Sequence, residues 1–134
     1  MSSTSLASLR TRKRVDFFIV GAQKAGTSAL WTYLVEHPAV YLSKEKELHF
    51  FDDDARFLLT NPVATIIREL QYHTCFGGFR DGAKVFGEVT PIYCWWRGAL
   101  ERIAAYNPKA KIIMLMRDPV SRAYSHWNLS LIHI

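Results

Sequence analysis

The stretch that most constrains this chain is Phe17-Phe18-Ile19-Val20, followed at once by Gly21-Ala22-Gln23-Lys24-Ala25-Gly26-Thr27-Ser28. Four aromatic or β-branched residues in a row predict a buried strand. From Thr27 to Glu36 the apolar positions 30, 31, 34 and 35 follow a helical spacing, which His37-Pro38 ends. Between strand and helix the glycines stand in the G-x-x-x-x-G spacing of a phosphate cradle. Glycine lets the backbone turn its N–H groups inward, and a helix N-terminus adds its own. Thr27 and Ser28 bring hydroxyl donors. A loop that cleaves ATP has its lysine directly after the second glycine. Here that position is Thr27, and the loop's lysine is Lys24, inside the turn. A lysine there meets the oxygens of a 5′-phosphate that carries a further group. The competing reading is a strand-to-helix turn that binds nothing.

The remainder alternates in the same way. Val40-Tyr41-Leu42 predicts a short second strand, and Ser43 to Asp54 a polar loop around Phe50-Phe51. A helix is expected from Pro62 to about Phe76, with Pro62 at its start. Turns follow at Gly77-Gly78 and Asp81-Gly82. Lys84 to Gly87 predicts a strand that runs into Glu88-Val89-Thr90-Pro91. Arg97 to Tyr106 predicts a helix, Lys111 to Met116 a strand, and Pro119 to about Leu129 a last helix. Strands separated by helices imply βαβ units and a parallel sheet, so the fold class is α/β. Three or four strands make a thin sheet with open edges. The chain therefore reads as the N-terminal portion of a larger domain, truncated on its C-terminal side and poorly stable or inactive alone.

With 49% apolar residues the chain has material for a core, which excludes disorder throughout. The apolar run Phe17 to Ala22 is far shorter than the roughly 20 residues that span a bilayer. No secretory signal precedes it, so a cytoplasmic location is expected. Cys75 and Cys94 offer neither zinc spacing nor a disulfide framework, and no metal is expected. The net charge of +5 invites a nucleic-acid reading. Four of the bases are Arg10, Arg12, Lys13 and Arg14, and without them the chain holds 13 basic against 12 acidic residues. Residues 1–14 read as a flexible basic leader and 15–134 as the folded body, with no nucleic-acid partner expected.

A second anion site is suggested where the strand at 111–116 meets Arg117-Asp118-Pro119. Arg117 falls at the carboxyl end of a strand, where open α/β sheets bind ligands. Ser125 follows on the next helix, about one turn past Ser121. Arginine and a helix-borne hydroxyl make a phosphate clamp. Arg117 pairing with Asp118, or capping a helix, explains the same residues.

Four segments occur in order: Gln23-Lys24-Ala25-Gly26-Thr27-Ser28, Glu47-Leu48-His49-Phe50-Phe51, Glu88-Val89-Thr90-Pro91-Ile92-Tyr93, and Arg117-Asp118-Pro119 with Ser125. From about Asp16 to Trp127 the chain resembles the sulfotransferases that use 3′-phosphoadenosine 5′-phosphosulfate (PAPS), especially the heparan-sulfate type and related bacterial members. The resemblance implies a P-loop-type three-layer α/β/α sandwich. It also implies that Lys24, Ala25, Gly26, Thr27 and Ser28 wrap the 5′-phosphosulfate, while Arg117 and Ser125 hold the 3′-phosphate. Sulfuryl transfer needs a base within reach of the acceptor's proton. The resemblance gives that role to Glu47, and in cytosolic relatives to a histidine, which makes His49 the alternative. Lys44 and Lys46 flank them and can pair with Glu47 or meet an anionic acceptor. Where glycosaminoglycan-modifying members carry a lysine after the glutamate, this chain has Val89. Trp95 and Trp96 are candidates to stack on a sugar face, or to serve as core or lid. The acceptor is expected to be a hydroxyl or amine, on a glycan or a small molecule. A small-molecule kinase with an altered loop, and a non-catalytic nucleotide- or nucleic-acid-binding module, are the competing classes.

Overall fold

The computed structural model of the chain describes residues 13–58, 61–77 and 85–132. Four strands form one parallel sheet: β1 (Phe17–Gly21), β2 (Val40–Leu42), β3 (Val85–Val89) and β4 (Lys111–Met114). Their spatial order is β2-β3-β1-β4. The helices are α1 (Thr27–Val35), α2 (Asp54–Leu58), α3 (Pro62–Thr74), α4 (Ala99–Tyr106) and α5 (Pro119–Ile132).

Alternation along β1 sorts the core into two layers. Phe18 and Val20 face a cluster with Phe50, Phe51, Tyr72, Phe76 and Tyr106, built from α3, α4 and the loop after β2. Phe17 and Ile19 face the other side with Leu42 and Val89, where Leu30, Trp31 and Leu34 of α1 cover them. Helices on both faces of a parallel sheet give the expected three-layer sandwich. Gly87 sits opposite Phe17, and a Cβ there would lie 2.1 Å from Phe17 Cζ. Glycine in mid-strand makes room for that ring.

Several boundaries shift for local reasons. Gly98 takes a left-handed φ of 86°, so the helix expected from Arg97 begins at Ala99. Asn61 caps α3 by accepting from Val63 N–H at 2.8 Å, and Pro62 fills the first position. The polar loop ends at Asp54 as expected, and that residue opens the short helix α2, which the sequence did not suggest. Helix α5 runs on to Ile132. Lys13 and Arg14, counted with the leader in the sequence, lie over the Phe86 and Tyr106 rings. Residues 1–12, the turn at Asp81-Gly82, Gly78 and Lys84 fall outside the described residues.

Candidate active site

Parallel strands bring all four carboxyl ends to one edge, and every segment singled out in the sequence begins there. β1 lies between β3 and β4, and its connection crosses to the opposite face from that of β3. Such a reversal point is where open α/β sheets hold ligands.

The loop after β1 is clasped to the segment after β4 where it leaves the strand. Ala22 N–H donates to Leu115 O at 2.8 Å, and Leu115 N–H donates to Gly21 O at 2.8 Å. Ala25 N–H closes a turn onto Ala22 O. Gly26, at φ 98°, then starts α1, and no side chain caps that helix. The first-turn N–H groups are those that a helix leaves without carbonyl acceptors. No acid stands in that first turn, so the helix itself supplies no anion to its positive end. Thr27 is buried, Ser28 exposed and Lys24 half-buried. These groups fit a phosphate-bearing ligand by donor count and by charge.

The second segment is fixed along β3. Ser43 N–H donates to Gly87 O and Glu47 N–H to Val89 O. Lys46 then reaches back to the first loop: its Nζ donates to Ser28 Oγ at 2.7 Å and to Glu47 Oε1 at 3.1 Å. His49 Nε2 stands 3.7 Å from Glu47 Oε2, and its Nδ1 is 2.6 Å from Asp52 Oδ2. A carboxylate only accepts, so the hydrogen in that short contact lies on the ring. The result is a line of Asp52, His49, Glu47, Lys46 and Ser28 that ends at the phosphate loop. Asp52 was not singled out in the sequence, where an acid in a polar run has no distinguishing mark.

Among the described residues, the non-glycine positions with positive φ are Lys24 (64°), Glu47 (61°) and His49 (49°). Each such residue costs about 1–3 kcal/mol and persists only where its surroundings enforce it. All three are among the residues to which the sequence gave a role.

The third segment keeps part of its expected geometry. Arg117 Nη1 donates to Lys24 O at 3.2 Å, which ties the end of β4 to the phosphate loop. Asp118 is occupied otherwise: it accepts from Ser121 N–H at 2.8 Å, capping α5. That hydrogen bond holds its carboxyl below the usual range. Ser125 lies further along α5, half-buried. Val89 is fully buried against Phe17 and Ile19, so the side chain after Glu88 points into the core. Trp95 and Trp96 are both exposed, and Trp96 donates to Asp54. Among the described residues no group of His, Cys, Asp and Glu is arranged to hold a metal ion. Among the same residues no helix is long and apolar enough to cross a membrane.

Comparison with known proteins places the chain in a family and a fold. Residues 16–132 match the family described as the sulfotransferase family. The chain is 28% identical over 116 residues to the membrane-associated sulfotransferase kil1 of Dictyostelium discoideum, covering 87% of this chain and 23% of that one. It is 33% identical over 119 residues to heparan sulfate glucosamine 3-O-sulfotransferase 3B1 of Mus musculus, covering 84% and 26%. A crystal structure of a sulfotransferase from Alicyclobacillus acidocaldarius superposes with a TM-score of 0.70 at 34% identity, covering 91% of this chain and 51% of that one. The chain thus spans about a quarter of the length of these two curated relatives.

Proposed function

This chain belongs to the sulfotransferase family, and from that membership we propose that it forms the donor site and base of an enzyme using PAPS. The donor supplies a sulfuryl group on a 5′-phosphate, and the acceptor is a hydroxyl or amine. One observation carries the reading: Lys46 touches both Ser28 of the phosphate loop and the Glu47 carboxylate. A base and a leaving-group cradle must lie on either side of one reacting atom, and this lysine ties them together.

In this scheme Glu47 takes the acceptor's proton as sulfur is attacked in line. His49, held by Asp52, backs the carboxylate and stands as the alternative base. Lys24 and the first-turn N–H groups of α1 offset the charge that gathers on the leaving phosphate oxygen, as donors aimed at developing charge do. Arg117 and Ser125 are assigned to the 3′-phosphate. The buried Val89 leaves no cation at the position that glycosaminoglycan-modifying members fill with lysine, which favours a less acidic acceptor.

Calorimetric titration with adenosine 3′,5′-bisphosphate in the absence of Mg²⁺ is expected to show binding, weakened by Lys24→Ala. In the intact protein the same substitution should lower PAPS turnover about 100- to 1,000-fold, the loss typical of one preorganised donor. Binding of ATP only, with dependence on Mg²⁺, would overturn the reading in favour of a kinase.

A further inference from the structure

Glu88 near the end of β3 has no exposed surface and takes no part in the chemistry above. Three hydroxyls surround its carboxyl group. Thr90 Oγ1 donates to Oε1 at 2.8 Å, Tyr93 Oη donates to the same oxygen at 2.5 Å, and Tyr72 Oη donates to Oε2. The Tyr93 hydroxyl also faces the loop after β2. It accepts from Phe50 N–H at 3.0 Å and from Phe51 N–H at 3.3 Å.

A phenol has one hydrogen and two lone pairs. Both lone pairs of Tyr93 are taken by amides, so its hydrogen must point at Glu88. Every bonding position of that hydroxyl is filled, and the carboxyl group sets its direction. The two amides it holds follow directly after His49, the second of the two left-handed residues in this loop. Ring packing of Phe50 and Phe51 buries the segment but does not set the rotation of its peptide planes. A hydrogen bond to each N–H does.

We propose that Glu88 and Tyr93 are positioning residues for the base, a role that presupposes Glu47 as that base. The carboxyl group aims the Tyr93 hydroxyl, and the hydroxyl pins the Phe50 and Phe51 amides. Those amides hold the strained backbone from Glu47 to His49 against the phosphate loop. Only an acceptor oxygen is needed at Oε1, so a neutral amide at position 88 keeps the arrangement: its oxygen serves Thr90 and Tyr93, and its NH₂ donates to the Tyr72 oxygen.

The test compares Glu47→Gln, Tyr93→Phe, Glu88→Gln and Glu88→Met in the intact protein with PAPS and an acceptor. Tyr93→Phe keeps the ring and is expected to lower kcat about 10- to 100-fold, the scale of a small misplacement of a reacting group. KM for PAPS and affinity for adenosine 3′,5′-bisphosphate should stay at wild-type values. Amide hydrogen exchange at Phe50 and Phe51 should speed up while β1 stays protected. Glu88→Met, which leaves the hydroxyl unaimed, should repeat the loss of kcat, and Glu88→Gln should stay within about threefold of wild type. Should Tyr93→Phe fail to fold, Glu88→Met against Glu88→Gln still decides the question. Wild-type kcat and unchanged exchange in Tyr93→Phe, or equal kcat in the two Glu88 variants, would overturn the positioning role. Retained activity in Glu47→Gln would instead sink the base assignment, and the amide exchange would still report on the tether.

Discussion

Lys24, Glu47 and His49 share a backbone conformation that their side chains disfavour. Their residue types were legible in the sequence, since lysine inside a glycine loop and a carboxylate two residues before an imidazole suggest chemistry. The left-handed backbone was not, because none of the three is the glycine or asparagine that announces it. Glu88 shows the same limit: its partners Tyr72 and Tyr93 lie far apart from one another in the chain, and nothing in the sequence brings them together. Burial raises its pKa above 4.5, and the three hydroxyls offset part of that rise. A carboxyl whose folded pKa is raised binds its proton more tightly in the folded chain. Its contribution to stability is therefore full at low pH and is lost as pH climbs from the ordinary carboxylate range through the folded pKa. Glu88→Gln removes that dependence. Urea midpoints measured from about pH 4 to about pH 8 should show the variant gaining on wild type as pH rises. A constant offset across that range would contradict the assignment.

The elements fared unevenly. All four strands were visible in the sequence, and β1, buried at every position, carries the unbroken apolar signature of a parallel strand covered on both faces. Helix α2 was missed because Asp54-Ala55-Arg56-Phe57-Leu58 is too short to show a period. The Phe50-Phe51 pair was read as part of a polar loop, yet both rings are buried, and Phe51 meets Phe18, Tyr93 and Tyr106 edge-on or tilted. Two apolar residues in a charged run give no period, so only the fold reveals that they anchor the loop that carries Glu47 and His49. The junction of β1 with the phosphate loop depends on a similar unseen contact. A Cβ on Gly21 would lie 2.3 Å from Cys94 Sγ, and Cys94 N–H donates to Val20 O. Gly21→Ala should cost about 1–3 kcal/mol by overpacking. Cys94→Ala should recover part of that loss in the double variant, read as a non-additive cycle in urea unfolding. Simple additivity would mean that the strain arises elsewhere.

Across the whole molecule, the α/β class followed from alternating elements, whereas the strand order β2-β3-β1-β4 did not, since it depends on which strands each crossover skips. β4 pairs with β1 on one side and leaves Ile112, Ile113 and Met114 exposed. Met116, Val120, Tyr124 and Trp127 add to that apolar surface on the same stretch of chain. An open parallel edge beside exposed apolar residues promotes association. The 134-residue chain should self-associate with rising concentration in sedimentation, and Ile112→Lys should shift it towards monomer. The strand order has a further effect on the site. The loop with Lys24 leaves β1 and the loop with Glu47 leaves β2, with β3 lodged between them. Two inter-strand steps separate their points of departure by about 9.6 Å. Backbone hydrogen bonding sets that interval, so it works as a built-in ruler: substitutions can change what the two loops carry, but not how far apart they start.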